Sequence, residues 1–137
     1  MNFVLDASVA LSWCFEDEGG EYADDVLESL RASEAIVASH WALEVTNGLL
    51  TAERRGRIAE RTAASMMRLI TALPIVIDPV TRRRAFESSY AFARRHRITS
   101  YDAAYLELAS RMALPLATLD TRLRASAADD GVPIYLA

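Results

Sequence analysis

Four carboxylates stand where acidic residues need a reason. Asp6 ends the apolar run Phe3-Val4-Leu5, and Asp120 ends Pro115-Leu-Ala-Thr-Leu119. Each closes a β-favouring stretch just before a helical pattern begins, at the end of a strand where ligands bind in open α/β sheets. Glu44 and Asp102 lie inside helical patterns instead. At 100° per residue, Glu44 flanks the apolar face Trp41-Val45-Gly48-Leu49-Ala52, in line with Asn47 and Thr51. Asp102 falls between Tyr105 and Leu106, beside Ala109, with Glu107, Ser110 and Arg111 expected on the opposite side. An inward carboxylate needs a partner, because a lone buried charge is very costly. Four acids gathered at one sheet edge would repel each other unless a cation compensated them. Oxygen donors without His or Cys favour Mg²⁺ or Mn²⁺. A divalent ion there would acidify a water and clamp a phosphoryl oxygen for in-line hydrolysis.

Each acid also has a structural explanation that the sequence leaves open. Asp6 or Ser8 suits a helix N-cap. Glu44, Asn47 and Thr51 suit a solvated stripe, and Thr99-Ser-Tyr-Asp102 has capping-box spacing with Asp in place of Glu or Gln.

The elements that must position these residues follow from periodicity and breakers. The pattern predicts strands at Phe3–Leu5, Ala35–Ala38, Ile75–Ile77, Pro115–Leu119 and Pro133–Leu136. Between them it predicts helices over 21–33, 40–55, 58–73, 81–95, 99–113 and 122–128, besides the one that starts after Asp6. Short apolar strands alternating with helices imply a parallel sheet covered on both faces, a three-layer α/β/α domain spanning 1–137.

Composition narrows the chemistry. The chain has 137 residues, 52% of them hydrophobic, yet no apolar run approaches the roughly 20 residues of a membrane span. No secretory leader is read at its start, and the one cysteine, Cys14, sits among apolar neighbours, so a cytoplasmic protein is expected. All 15 basic residues are arginine, which excludes a Schiff-base or phosphate-binding lysine. The net charge of −4 argues against indiscriminate nucleic-acid binding. Seven acids and no base fall within Glu16–Glu28, however, so the remainder carries a basic excess.

The set Asp6-Ala7-Ser8, Glu44-Val-Thr-Asn47, Ser100-Tyr-Asp102-Ala-Ala-Tyr105 and Thr118-Leu-Asp120 resembles the PIN-domain nucleases over essentially the whole chain. Length and spacing are similar to the VapC toxins of bacterial type II toxin–antitoxin pairs. The resemblance implies strand order 3-2-1-4-5, with strands one and four flanking the topological switch point. It implies that Asp6, Glu44, Asp102 and Asp120 bind Mg²⁺ or Mn²⁺, while Ser8, Asn47 and Thr118 support them by hydrogen bonds. It also implies RNA cleavage, leaving 5′-phosphate and 3′-hydroxyl ends, and silencing by a small VapB-like antitoxin. A PIN-like protein that only binds RNA or a partner is the other class this sequence fits, because fold alone does not establish activity.

Arg122 and Arg124, just beyond Asp120, are candidate contacts for RNA phosphates. Arg54, Arg55, Arg57, Arg61 and Arg82–Arg84 fit solvated helix ends at least as well. His40 and His96 lack triad or metal spacing and read as surface or helix-end residues; Asp78 reads as a turn residue before Pro79. Leu43 and Leu50, one heptad apart and opposite Trp41 and Val45, give their helix a second apolar stripe. Together with the resemblance, that stripe predicts a homodimer.

Overall fold

Phe3, Val4 and Leu5 are all fully buried. Successive strand residues point to opposite faces, so a run buried at every position must be covered on both sides. These residues form β1 (Phe3–Leu5), the inner strand of a parallel sheet with β2 (Ala35–Val37), β3 (Ile75–Ile77) and β4 (Leu116–Ala117). The sheet order is β3-β2-β1-β4. Val4 lies opposite Ile36 on one side and Leu116 on the other. The computed structural model describes all 137 residues.

The helices are α1 (Ala7–Ser12), α2 (Glu21–Ser29), α3 (Trp41–Arg54), α4 (Glu60–Thr71), α5 (Thr81–Arg84), α6 (Tyr90–His96), α7 (Ser100–Met112) and α8 (Thr121–Asp129). A π-helical segment, Ala85–Ser89, joins α5 to α6, so the path expected as one helix carries a local widening. The sheet is flanked by helices, as the alternating pattern requires. Trp41, Val45, Leu49 and Ala52 form the buried face of α3, and α1 packs closely on α3 at Gly48. A β-carbon at Gly48 would come within 2.6 Å of Leu11 Cδ2, so the missing side chain sets how near the two helices lie. No helix is long and apolar enough to cross a membrane.

The expected fifth strand shrinks to a single rung. Leu116 bridges Ile134 in parallel, through Leu116 N–H to the Pro133 carbonyl and Tyr135 N–H to the Leu116 carbonyl. Pro133 has no N–H to offer, and Leu136 turns left-handed at φ 58°, so pairing stops on both sides. Phe3 stacks on Tyr135 at 4.0 Å and holds this terminal turn against β1. At the opposite edge β3 is open, with Val76 and Ile77 exposed.

One polar helix residue lies in the interior. Glu107 is buried, at 3% exposure, on the side of α7 opposite Asp102. The π-helical segment packs over α7, and Arg111 Nε donates to Glu107 Oε1 at 2.8 Å. Arg111 also reaches Asp78, where Nη2 donates to Oδ2 at 2.7 Å. Asp78 is therefore more than a turn residue. It is buried, accepts a further bond from Thr81 Oγ1, and pins the end of β3 to α7. Burial works to raise its carboxyl, but the hydrogen bonds from Arg111 and Thr81 hold it below the usual carboxylate range.

Candidate active site

β1 and β4 are neighbours, so the residues just past their ends, Asp6 and Asp120, share one crevice. Backbone pairing carries on to Asp6, whose N–H bonds to the Ala117 carbonyl at 3.0 Å. Asp6 occupies the N-cap position of α1, yet its side chain makes no capping bond. Oδ2 instead accepts from Ser8 Oγ at 2.7 Å and from Thr118 Oγ1 at 2.6 Å. Those hydroxyls are held in turn. Ser8 Oγ accepts from Leu119 N–H and Thr118 Oγ1 from Asp120 N–H, both at 3.1 Å. The carboxylate is 4% exposed. Burial pushes its pKa up, the two hydroxyls oppose this, and the charges of Glu44 and Asp120 add to the rise.

Asp120 is the residue that caps. Its Oδ1 accepts from Arg122 N–H at 2.8 Å and Leu123 N–H at 3.1 Å, which starts α8. Glu44 is set by two donors from different elements. The Tyr105 hydroxyl of α7 donates to Oε1, and His40 Nε2 lies 3.2 Å from the same oxygen. Burial alone would raise Glu44, but bonds from His40 and Tyr105 lower it below the ordinary value. The phenol is fully buried, and its pKa is raised by burial and by Glu44 beside it.

Asp102 has only half of a capping box. Its N–H donates to Thr99 Oγ1 at 3.1 Å, but its carboxylate does not return a bond to Thr99. Half-buried, it is pushed up to about 6 by desolvation and then by the charges of Asp6, Asp120 and Glu44. The four acids thus feel one another across a shared space. No three of them converge closely enough to form a ready-made metal cage. The donor set nevertheless fits a hard divalent cation, being oxygen only, mutually repulsive and free of arginine.

The other expected site residues divide. Ser8 and Thr118 support Asp6 directly, whereas the Asn47 side chain is exposed on α3, one turn beyond Glu44, and does not bond Glu44. Arg124 is committed to structure, with Nε on the Thr118 carbonyl at 2.8 Å and its guanidinium 4.6 Å from the Tyr22 ring centre. Arg122 is exposed, and its Nη2 donates to the Arg97 carbonyl at 3.4 Å.

The family model of the PIN domain matches residues 3–128. The chain belongs to the PIN-domain family. This PIN domain is 30% identical over 123 residues to Ribonuclease VapC3 of Pyrobaculum aerophilum, covering 90% of the chain and 92% of that relative. It is 36% identical over 83 residues to Ribonuclease VapC1 of Mycobacterium tuberculosis, covering 61% of the chain and 60% of that relative. Its fold is similar to that of VapBC2 from Rickettsia felis, solved bound to a DNA fragment from their promoter. The TM-score is 0.68 at 10% identity, over 98% of this chain and 97% of that one.

Two residues beside the candidate acids were given no role in the sequence reading. His40 reads as a helix-end residue, yet its ring lies 5.0 Å from Tyr105 and bonds Glu44. The i, i+4 spacing of His40 and Glu44 was the available signal. Tyr105 closes the motif quoted above, but an inward helix position does not say where its hydroxyl ends.

Proposed function

We propose that this PIN domain, residues 1–137, is a divalent-metal-dependent endoribonuclease of the VapC toxin class, neutralised by a VapB-like antitoxin. The observation that carries this reading is the electrostatic frustration of Asp102. Its carboxyl is driven to about 6 by burial and by Asp6, Asp120 and Glu44. A structural cluster would have acquired an arginine, as Asp78 has. Asp102 has no such partner, and a carboxyl held among like charges at a sheet edge is the mark of a functional site.

Asp6, Glu44, Asp102 and Asp120 would hold Mg²⁺ or Mn²⁺. The ion would supply positive charge beside the scissile phosphate and make the attacking water more acidic. The chain's own part is orientation. Ser8 and Thr118 fix one Asp6 oxygen, Tyr105 and His40 fix one Glu44 oxygen, and two backbone N–H groups fix one Asp120 oxygen. In each case a second oxygen is left for a ligand. Both relatives named above are called ribonucleases, which supports RNA as substrate.

A cleft of about 1270 Å³ supports the antitoxin reading. Trp13, Phe15, Ile58 and Met66 line it, and Asp24 and Asp25 edge it, a surface suited to an apolar segment carrying basic residues. Leu43 and Leu50 are 73% and 39% exposed, which supports pairing with a second copy across α3. The sole cysteine, without a partner for a disulfide, accords with a cytoplasmic protein.

The second reading, a catalytically silent PIN protein that binds RNA or a partner, draws on the absence of a ready-made cage among the acids. One experiment separates them. Purified protein is incubated with structured RNA in Mg²⁺, in Mn²⁺ and in EDTA, and the product ends are sequenced. Metal-dependent cuts with 5′-phosphate ends, missing in Asp6→Asn, are expected. Binding without cleavage in either metal would leave the silent reading.

A further inference from the structure

Two arginines of this chain occupy backbone positions that disfavour arginine, and they meet. Arg97 ends α6 in the left-handed region at φ 55°, where glycine or asparagine is the usual occupant. Arg122 sits in the first turn of α8, where the unpaired N–H groups make the potential positive and a cation unfavourable. The Arg122 guanidinium donates to the Arg97 carbonyl, and both side chains line a cleft of about 290 Å³ with Arg95, His96, Ser126 and Asp129. Arg95 and His96 are already engaged by Asp130, and Asp129 lies 4.0 Å from His96. Arg97 and Arg122 are exposed and carry no carboxylate partner. The bond to the Arg97 carbonyl caps the end of α6, but it leaves two exposed guanidinium groups side by side with no carboxylate between them, at two positions where arginine is locally disfavoured.

The cleft also adjoins the acids by both routes along the chain. Arg97 lies two residues before Thr99, the N-cap of the helix that carries Asp102. Arg122 lies two residues after Asp120, the N-cap of α8. A polyanion approaching four carboxylates needs a compensating basic surface beside them, and planar guanidinium forks match phosphate oxygens.

We propose that Arg97 and Arg122 form a subsite for a backbone phosphate of the substrate, flanking the phosphate that is cut. The proposal rests on the nuclease reading and adds to it where the uncut strand is held. Arg124, whose Nε is bonded to the Thr118 carbonyl and whose guanidinium lies over Tyr22, is not part of this pair.

The test is fluorescence anisotropy of a short labelled single-stranded RNA, in an Asp6→Asn background so that nothing is cut, across a salt series. Arg97→Gly and Arg122→Gln should each weaken binding about tenfold. Each should also flatten the salt dependence by about 0.7 in the slope of log K against log salt, the value for one phosphate on a single strand. Arg68→Gln removes the same charge from α4 and should change neither quantity. Arg97→Gly should melt no lower than its parent, because glycine relaxes the left-handed turn; Arg122→Gln is a surface change and gives a second, independent reading. Parent-like affinity and slope in both variants, or an equal loss in Arg68→Gln, would overturn the subsite while wild-type cleavage kept the nuclease reading intact. RNA neither bound by the parent nor cut by wild type would overturn both.

Discussion

The hydroxyl of Tyr105 on α7 donates to Glu44 on α3, 61 residues earlier in the chain, so the helix that carries Asp102 also aims a second of the candidate acids. Tyr105→Phe removes that donor while keeping the ring. Because Glu44 is held below its ordinary 4.5, its bonds stabilise the fold above that pH and lose their effect as pH falls through the lowered value. The variant should lose about 1 kcal/mol at neutral pH, with its deficit in Tm starting to close only below Glu44's ordinary 4.5. Its cleavage rate should fall about tenfold through misplacement of Glu44. Melting curves across pH, beside single-turnover cleavage, check both.

Asp6→Asn should abolish cleavage by at least about a hundredfold without unfolding the protein. The amide keeps an oxygen for Ser8 and Thr118 while removing a charge that burial already disfavours. Its Tm should therefore equal or exceed that of wild type. An unchanged cleavage rate would remove Asp6 from the site.

Asp102→Asn distinguishes a ligand from a helix residue. A carboxyl raised from 3.8 to about 6 keeps its proton longer in the folded state, so stability falls as pH rises through that window. In EDTA at pH 7 the variant should be more stable by about 1 kcal/mol, after allowing for solvent screening of a half-buried group. Below about pH 4 the advantage should vanish. In saturating Mg²⁺ the order should reverse, since wild type gains binding energy and the variant much less. An equal loss in both buffers, with activity retained, would leave Asp102 a purely structural residue.

Asp78→Asn probes stability apart from chemistry. Breaking the buried pair with Arg111 should cost about 3 kcal/mol. Because Asp78 is held below its ordinary value, the cost should be full above about pH 4 and fade in stronger acid. Cleavage per folded molecule should not change, as a denaturant melt paired with a rate measurement will show.

Leu43→Glu with Leu50→Glu should turn a dimer into a monomer in sedimentation at tens of micromolar, roughly the range where a weak dimer still forms. Both side chains lie on the exposed stripe of α3, so the folded monomer should keep its Tm within about 1 kcal/mol of stability. A wild-type monomer at that concentration would dispose of the dimer.

Much of this fold could be read from the residues because its signals are local. Apolar triplets bounded by Asp or Pro gave β1 and β3, and the wheel of α3 placed Glu44 beside Trp41 and Val45. What escaped was non-local. Glu107 has the polarity of a surface residue, and only the π-helical segment packing over α7 makes its position an interior one. Asp78 precedes proline as turn residues do, while its partner Arg111 lies 33 residues on. The capping was only partly legible. Thr99 accepts the N–H of Asp102 as the capping-box spacing expects, but Asp102 returns no bond, and Asp120 rather than Asp6 caps its helix.

The open edge at β3 raises a question of solubility that the fold answers with its prolines. An exposed strand edge with Val76 and Ile77 uncovered is a template on which a foreign chain could add. Pro74 and Pro79 bracket that strand, so only three residues offer an unbroken ladder, too few to recruit a stable partner strand. At the other margin Pro115 precedes β4 and Pro133 precedes the lone rung at Ile134. All four prolines of the chain thus stand at the two margins and none in β1 or β2. The sheet is fenced against growth into fibres, and Pro74→Ala with Pro133→Ala should aggregate on heating well before either single variant does.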